Sequence, residues 1–470
     1  MLEMLNGKEN LNNKIMTEYT YTYNEDDYTV PRVTVTNNIL SSSTNKTKGG
    51  VVGLIGAFPS DKSEILSFNS LSDLRTAYGI MPGQDSETQF NGARAAKRIF
   101  MEGVSEGKGA YEIRVCNITT KPEDIPDGIN VQVGSAEEGG VITLAEDEVI
   151  DPSEGTADEL LNYDTRLTPE KLKTALSKIQ SEQIDMLFVA DAIGKFVPPV
   201  DTSGIDNYNA AQYKEDNDRL GILRKALVNL FENQKPVPLV FPLKTTVDGN
   251  GSSGTFPVGS STINVVDATV ISDTYFKDQM PLLLHATTGR LKLNGSEVVS
   301  DLIESSAHIC GFIAGTNIQE SLTRKEIPGV TGVEEELYFG VNDAGYKLTQ
   351  KGLHVIVPKS ERDGKYCIKN SRIPFAQEYD VSHVRCLCYL IKSYGLSDKL
   401  GRINSTFELE TLKTELKSVN KTVMDELGIF QDINCEDIES LDANRIKINL
   451  KVVMDGILLK IDLGVEARVE

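Results

Sequence analysis

Short continuous apolar runs divide the central part of the chain into predicted strands. They are "VVGLI" from Val51, "YEIRV" from Tyr111, "IDMLFVA" from Ile184 and "VPLVFPL" from Val237. Runs of this length, separated by polar or glycine-containing stretches, are typical of strands that are covered on both faces. They predict a sheet in the interior of the protein.

Segments with helical spacing lie between these runs. Ala93, Ala96 and Phe100 share one face of "FNGARAAKRIFMEG", and "LTPEKLKTALSKIQ" begins with Thr168 as a predicted N-cap and Pro169 at the first helical position. The apolar stripe of the second segment consists of Leu172, Leu176 and Ile179. Because helices between strands carry the chain back along a sheet, the pattern predicts an α/β domain with a largely parallel sheet.

Both ends of the chain have the two-residue period of exposed strands. Tyr19, Tyr21 and Tyr23 alternate with threonines near the start. Near the end the apolar positions are Ile457, Leu459, Ile461, Leu463, Val465, Ala467 and Val469. A long half-apolar strand at an open edge would aggregate, and an isolated strand is unstable in water. We therefore expect each end to pair with the chain's own fold or with a neighbouring copy.

Net charge and residue usage exclude several classes of function. The 470 residues carry a net charge of −21, which argues against nucleic acid as the main partner because phosphate binding needs a basic surface. No apolar run reaches the ~20 residues of a membrane span, and the first residues lack a signal peptide's apolar region, so we expect folding in a cytoplasm. The six cysteines form no C-x-x-C pair, which predicts buried thiols and no metal site.

Two stretches interrupt the α/β pattern. Between Lys121 and Asp164 there are thirteen acidic residues and one basic residue, and the short alternating pieces there predict an acidic, strand-rich insertion at 117–165. The Gly/Ser-rich stretch at 245–276 predicts a hairpin insertion.

The glycine-rich opening "KGGVVGLIGAFPSD" raises the question of a nucleotide site. Dinucleotide fingerprints place glycines after a strand and at the head of a helix. Here Gly50 precedes the predicted strand, Gly53 lies within it and Gly56 follows it, and a proline follows in place of helical periodicity. We interpret the glycines as positions where neighbouring backbone comes close to a core strand.

The order of these segments resembles that of the contractile tail sheath proteins of phages and related injection machines. The resemblance is strongest over Gly49 to Asn117, through "GGVVGLIGAFPSD", "ILSFNSLSDLRTAYG", "GARAAKRIFMEG" and "AYEIRVCN". It returns more weakly at "AHICGFIAGTN…SLTRKEIPGVTGVE" and in the C-terminal helix and strand.

The resemblance implies a fold and a division of the chain. It implies a subtilisin-like sheath core without protease function, an α+β C-terminal domain and extended strand arms that join neighbouring subunits. The expected division is an N-terminal arm at 1–48, a core at 49–340 with the two insertions, a C-terminal domain facing the tube at 341–440, and a C-terminal strand arm at 441–470.

The resemblance also implies a function and partners. We expect a homo-oligomeric sheath that polymerises around an inner tail tube and contracts to drive that tube through a cell envelope, as in viral genome ejection. Baseplate and tail terminator proteins are the other expected partners, and assembly in a host cytoplasm would lead to a virion tail or injection particle. We predict no catalytic, cofactor-binding or metal site, no nucleic acid and no membrane insertion. An α/β nucleotide-binding enzyme and a non-contractile strand-exchanging shell protein are the alternatives.

A row of lysines is the candidate tube contact. Lys413, Lys417 and Lys421 recur every four residues on the last predicted helix, beside an apolar face of Leu412, Leu416, Val419 and Val423. By spacing alone the row fits a plain solvated face. In related sheaths a C-terminal helix touches the tube. The resemblance therefore implies that the three lysines contact acidic residues of the tube protein.

Overall fold

The computed structural model describes residues 34–40, 50–104, 109–119, 167–190, 219–243, 246–247, 254–258, 261–264, 284–288, 290–296, 298, 300–334, 349, 354–360, 364–373, 380–396, 406–442 and 445–454. Contacts within the chain divide it into two compact units. The central unit is residues 47–400, and the end unit combines residues 1–46 with 401–470. The predicted division at 48/49, 340/341 and 440/441 stays a prediction.

Sixteen strands and eight helices are assigned within the described residues. The strands are β1 Thr34–Leu40, β2 Val51–Gly56, β3 Leu66–Phe68, β4 Glu112–Asn117, β5 Met186–Val189, β6 Leu239–Leu243, β7 Thr246–Val247, β8 Gly254–Val258, β9 Ser261–Asn264, β10 Leu284–Thr288, β11 Leu291–Leu293, β12 Val330–Val333, β13 Ile356–Pro358, β14 Tyr366–Ile368, β15 Phe430–Asp442 and β16 Arg445–Met454. The helices are α1 Leu71–Tyr78, α2 Asp85–Thr88, α3 Asn91–Ile99, α4 Pro169–Ile179, α5 Arg219–Glu232, α6 Leu302–Gly315, α7 Val381–Ser393 and α8 Thr406–Leu427.

A six-stranded sheet forms the core of the central unit. Its strand order is β10-β6-β5-β2-β4-β3. Neighbouring strands run parallel from β10 to β4, and only β3 pairs antiparallel with β4. Every residue of β2 and β5 is buried, as expected for strands covered by helices on both faces. The prediction of a mixed α/β fold with a largely parallel sheet is therefore confirmed.

The glycines of β2 are packing positions. A Cβ atom added to Gly53 would lie 2.7 Å from Cδ1 of Ile184 and 2.9 Å from Cδ1 of Ile179. One added to Gly56 would lie 2.7 Å from Cα of Gly92. The glycines thus let the start of α3 and apolar side chains approach the strand, as the sequence indicated.

Local sequence signals set the helix starts of the central unit. The Thr168 side chain accepts the Lys171 N–H at 3.3 Å, and Pro169 occupies the first turn of α4. The predicted stripe of α4 is buried, namely Leu172, Leu176 and Ile179. Ser70 caps α1 and Asp301 caps α6 in the same way.

Smaller antiparallel sheets surround the core. Strands β7, β8 and β9, which lie within the Gly/Ser-rich stretch, form a three-stranded sheet. Strands β11 and β12 pair with each other, as do β13 and β14. Residues 120–165 of the predicted acidic insertion lie outside the described residues.

A hydrogen-bonded cluster anchors the N-terminus of α7. The Asp380 carboxylate accepts the backbone N–H and the hydroxyl of Ser382, each at 2.8 Å, and the Ser321 hydroxyl at 3.1 Å. It also accepts the Ser371 hydroxyl. His383 Nδ1 accepts the Asp380 N–H, which completes a capping box. Because Asp380 is buried, these donors replace water and join two loops to the helix.

All six cysteines are buried thiols, which confirms the prediction from their spacing. Burial raises the pKa of the Cys116 thiol to about 11. Across the described ranges, no three His, Cys, Asp or Glu side chains are grouped so that they could hold a metal ion. No helix within those ranges is both long and apolar enough to cross a bilayer.

Candidate assembly interface

The end unit contains a sheet built from distant parts of the chain. Strands β15 and β16 form an antiparallel hairpin, and β1 runs parallel to β16 on its other side. The β1 register extends from Thr34 opposite Lys447 to Leu40 opposite Val453. Residues near the start of the chain therefore complete a sheet whose other two strands come from near its end.

Alternation along β16 fixes which face of this sheet is covered. Ile448, Leu450, Val452 and Met454 are buried, whereas Lys451 between them is exposed. This two-residue period gives the hairpin one apolar face and one polar face. A shift of the pairing by one residue would expose the apolar set, so the pattern specifies the register.

Helix α8 packs against β15. Its buried side chains are those of Leu416, Asn420, Val423 and Leu427. The Asn420 amide donates to the backbone oxygen of Ile433 at 2.9 Å. The buried residues recur at three- and four-residue spacing, so one face of α8 lies on the sheet and the other is exposed.

The lysine row lies toward the exposed side of α8. Lys417 and Lys421 are exposed, and Lys413 is half-buried. Among the described residues, no carboxylate lies within ion-pair distance of any of the three. A helix rises ~1.5 Å per residue, so the three positions follow one another about 6 Å apart along the axis.

Two threonine hydroxyls on the same helix bond to its backbone. Thr414 Oγ1 donates to the Glu410 backbone oxygen at 2.9 Å, and Thr422 Oγ1 donates to that of Ser418 at 3.1 Å. These hydroxyls are satisfied by the helix itself.

The predicted arm residues are outside the described residues. These are Tyr19, Tyr21 and Tyr23 at the start, and Ile457, Leu459, Ile461, Leu463 and Val465 at the end. Among the described residues of the first fifty, the structure has strand β1, and neither β1 nor the β15–β16 hairpin was predicted from the sequence. The signal for β16 was present, because Ile446, Ile448, Leu450 and Val452 alternate with polar residues.

Comparison by sequence finds no relatives. No protein-family profile matches this chain. No curated protein sequence matches it either.

Comparison with solved structures finds several similar chains. A chain from the anti-feeding prophage (AFP) baseplate has a TM-score of 0.52 and 12% identity, over 96% of this chain and 99% of that chain. The sheath tail protein of Listeria innocua has a TM-score of 0.49 and 12% identity, over 87% of this chain and 96% of that chain. The AFP helical sheath in its contracted state has a TM-score of 0.47 and 12% identity, over 96% and 99% of the two chains.

The baseplate chain, with the highest of these scores, matches nearly the full length of both proteins. At 12% identity the agreement concerns the fold. This chain therefore has the fold of a protein of the AFP baseplate, and that agrees with the resemblance that the segment order indicated.

Proposed function

We propose that this protein is the structural subunit of a contractile tail sheath. Many copies polymerise around an inner tail tube, and contraction drives the tube through the envelope of a target cell. The observation that carries the proposal is the shared fold along 96% of this chain with a protein of the AFP baseplate. The particle is a virion tail or an injection machine assembled in a host cytoplasm, with baseplate and tail terminator proteins as further partners.

Exchanged strands link the subunits in this proposal. The tyrosine-alternating segment and the segment from Ile457 to Val465 add to sheets of neighbouring copies. The end unit supports this use of chain ends, because β1 already pairs with β16 across more than four hundred residues of sequence. Main-chain hydrogen bonds hold such strands, and alternate apolar side chains set their register.

The lysine row meets the tube in this proposal. Lys413, Lys417 and Lys421 face acidic side chains of the inner tube protein, within a C-terminal domain at 341–440. The support is their position on α8 without carboxylate partners among the described residues. Exposed ion pairs are weak, at roughly 0–1 kcal/mol each, so the contact holds collectively and releases readily.

The core in this proposal is a subtilisin-like scaffold without enzymatic activity. Contraction needs no nucleotide or cofactor, because the free energy is stored when the extended sheath assembles. A packing difference of a few kcal/mol per subunit, multiplied over many copies, is sufficient. The close packing around Gly53 and Gly56 supports a structural role for these glycines.

Electron microscopy of the purified full-length protein, with and without its tube partner, tests the proposal. We expect cylinders in two states of length and diameter. Deletion of residues 457–470 should prevent their formation, because it removes the terminal strand. The double variant Asp462→Asn/Glu466→Gln keeps the apolar alternation and is the matched control, which should assemble normally.

Two results would contradict the proposal. Normal cylinders from the deletion variant would eliminate the terminal strand as a link between subunits. Micromolar nucleotide binding by a protein that forms neither rings nor tubes would favour an α/β enzyme.

A further inference from the structure

The hairpin of β13 and β14 forms a basic surface on an acidic protein. The segment 320–327 runs beside β14, with Thr323 bridged to Ile368 and Glu326 to Cys367. Across residues 320–327, 354–360 and 364–373 there are six basic and two acidic residues, a net charge of +4. We call these segments the basic hairpin surface. Its sign is opposite to the net charge of −21 for the chain.

Ion pairs within this surface leave positive charge over. Lys359 Nζ lies 3.5 Å and Lys365 Nζ 2.9 Å from carboxylate oxygens of the same residue, Glu326. One carboxylate is thus shared by two exposed ammonium groups. The Lys365 ammonium holds the pKa of the Glu326 carboxyl below its ordinary value. Arg324 is exposed and has no carboxylate within ion-pair distance among the described residues.

The backbone at Arg324 is unusual for a residue with a side chain. Its φ is 60°, in the left-handed region that glycine occupies at lower cost. The Arg324 N–H donates to the Ile368 oxygen at 2.8 Å, and its guanidinium Nη2 donates to the Lys359 oxygen at 3.4 Å. These bonds hold the guanidinium beside the lysines. A strained position that carries an exposed cation suggests a role for the side chain.

Hydrogen bonds connect the segments under this surface. The Asp380 cluster joins Ser321 and Ser371 to the start of α7. One turn later, Arg385 donates to the backbone oxygens of Thr316 at 3.0 Å and Asn317 at 3.4 Å, where the chain leaves α6. These bonds tie the segments that carry the cations to α6 and α7.

Charge complementarity identifies the occupant. The segment from Lys121 to Asp164 has thirteen acidic residues and one basic residue, a net charge of −12. A positive surface associates faster and in one register with a partner that carries an excess of negative charge. Within this chain, the acidic segment has the greatest concentration of negative charge.

The topology favours a neighbouring copy as the source of that segment. The acidic segment begins after Thr119 and ends before Leu167, beyond the carboxyl end of β4 and ahead of α4. The basic hairpin surface follows α6, and the Ala314 oxygen of α6 lies 3.2 Å from a Cβ built on Gly50, which precedes β2. The acidic segment is thus attached at the carboxyl ends of the parallel strands, and the basic hairpin surface near their amino ends.

We propose that the basic hairpin surface of one subunit binds the acidic segment 121–164 of a neighbouring copy. This inference rests on the proposed assembly, which places copies side by side. The contact adds a salt-sensitive link to the strand-mediated ones and gives the acidic segment a role in the lattice.

Isotope-coded crosslinking of the full-length protein tests this contact. Unlabelled and ¹⁵N-labelled subunits are mixed before assembly and treated with a carbodiimide, which joins lysines to carboxylates in contact. We expect mixed-isotope peptides that join Lys359 or Lys365 to residues 121–164, with a yield that falls as NaCl rises from 50 to 500 mM. Links confined to one isotope, or links to another protein instead, would overturn the proposal.

Matched variants separate this contact from a general effect of charge. Lys359→Glu/Lys365→Glu should prevent links through both positions and lower the number of assembled copies at 50 mM NaCl at least threefold. Lys171→Glu/Lys173→Glu on α4 makes the same change in net charge and should assemble as the parent does. Equal assembly by both variants would contradict the proposal.

Arg324→Gly removes the cation and relieves the backbone at once. We expect at least threefold fewer mixed-isotope links with no fall in the thermal unfolding midpoint, whereas Arg324→Lys should keep the links. An unchanged yield for Arg324→Gly would eliminate this arginine from the contact. Tubes seen by microscopy without mixed-isotope links would refute this inference and leave the proposed function standing. Mixed-isotope links without tubes would support the contact and contradict the proposed function.

Discussion

Charge reversal along α8 should weaken assembly on the tube in a graded way. We consider Lys413, Lys417 and Lys421 changed together to Gln or to Glu. Each exposed ion pair contributes roughly 0–1 kcal/mol, so three neutralised lysines remove at most ~3 kcal/mol per subunit, or a factor of about 100 in affinity. The Glu variant adds repulsion and should have the larger effect.

The effect on the subunit itself should be small. Lys417 and Lys421 are exposed and lack ion pairs among the described residues, and surface substitutions of this kind usually change stability by less than ~0.5 kcal/mol each. Glutamine is as good a helix former as lysine. Circular dichroism and the unfolding midpoint should therefore match those of the parent.

The assay is the critical concentration for polymerisation on purified tubes at low salt. We expect it to rise from parent to Gln variant to Glu variant, and the differences should shrink at high salt because exposed charges are screened. The double variant Lys417→Glu/Lys421→Glu is compared with Lys171→Glu/Lys173→Glu on α4, which changes the net charge by the same amount and is the control. A critical concentration within twofold of the parent for all α8 variants would refute the role of the row.

Three further predictions concern the central unit. Gly56→Ala should destabilise it by ~1–3 kcal/mol in urea unfolding because the new methyl group meets the Gly92 backbone. Gly53→Ala meets isoleucine side chains and no backbone, so it should cost less than Gly56→Ala. Burial lowers the pKa of His308 to about 4 from an ordinary 6.5. The free energy of unfolding should therefore fall as pH drops from 6.5 through 4, because the unfolded chain binds a proton that the folded chain excludes. His308→Gln should make this fall with pH less steep. Asp380→Ala should cost ~2–5 kcal/mol by removing a cap and leaving buried hydroxyls unpaired, and equal stability of Asp380→Ala and Asp380→Asn would contradict that account.

The parallel sheet could be predicted because its signals are local. Continuous apolar runs marked the central strands, and Thr168 followed by Pro169 marked the start of α4. The packing role of Gly53 and Gly56 also followed from their order around the strand. In each case a few neighbouring residues contained the information.

Strands β1 and β15 of the end unit were missed because their sequence patterns are weak, although β16 has a clear alternation. Strand β15 has register shifts at three places, between Phe430 and Asp432, Cys435 and Asp437, and Ser440 and Asp442. Each shift inserts an extra residue and interrupts the two-residue period by which a strand is recognised. Strand β1 is rich in Thr and Asn, and its partner β16 lies more than four hundred residues away.

The basic hairpin surface was hidden for a similar reason. Its cations come from segments around Arg324, Lys359 and Lys369, and acidic residues are interspersed with them. A linear reading therefore shows no basic run. The pairing of 323–326 with β14 brings the cations together, and the shared use of Glu326 reveals their excess.

In the proposed assembly, strand links and charge contacts have different energies and therefore different roles. Strand β1 pairs seven residues with β16, and at about 1 kcal/mol net per hydrogen bond an exchanged strand of similar length would hold by several kcal/mol. The lysine row of α8 contributes at most ~3 kcal/mol, and salt weakens it further. When subunits rotate away from the tube, the charge contacts should break first while the strands stay paired. A sheath in which Lys413, Lys417 and Lys421 were replaced by tighter apolar contacts should therefore assemble well and contract poorly.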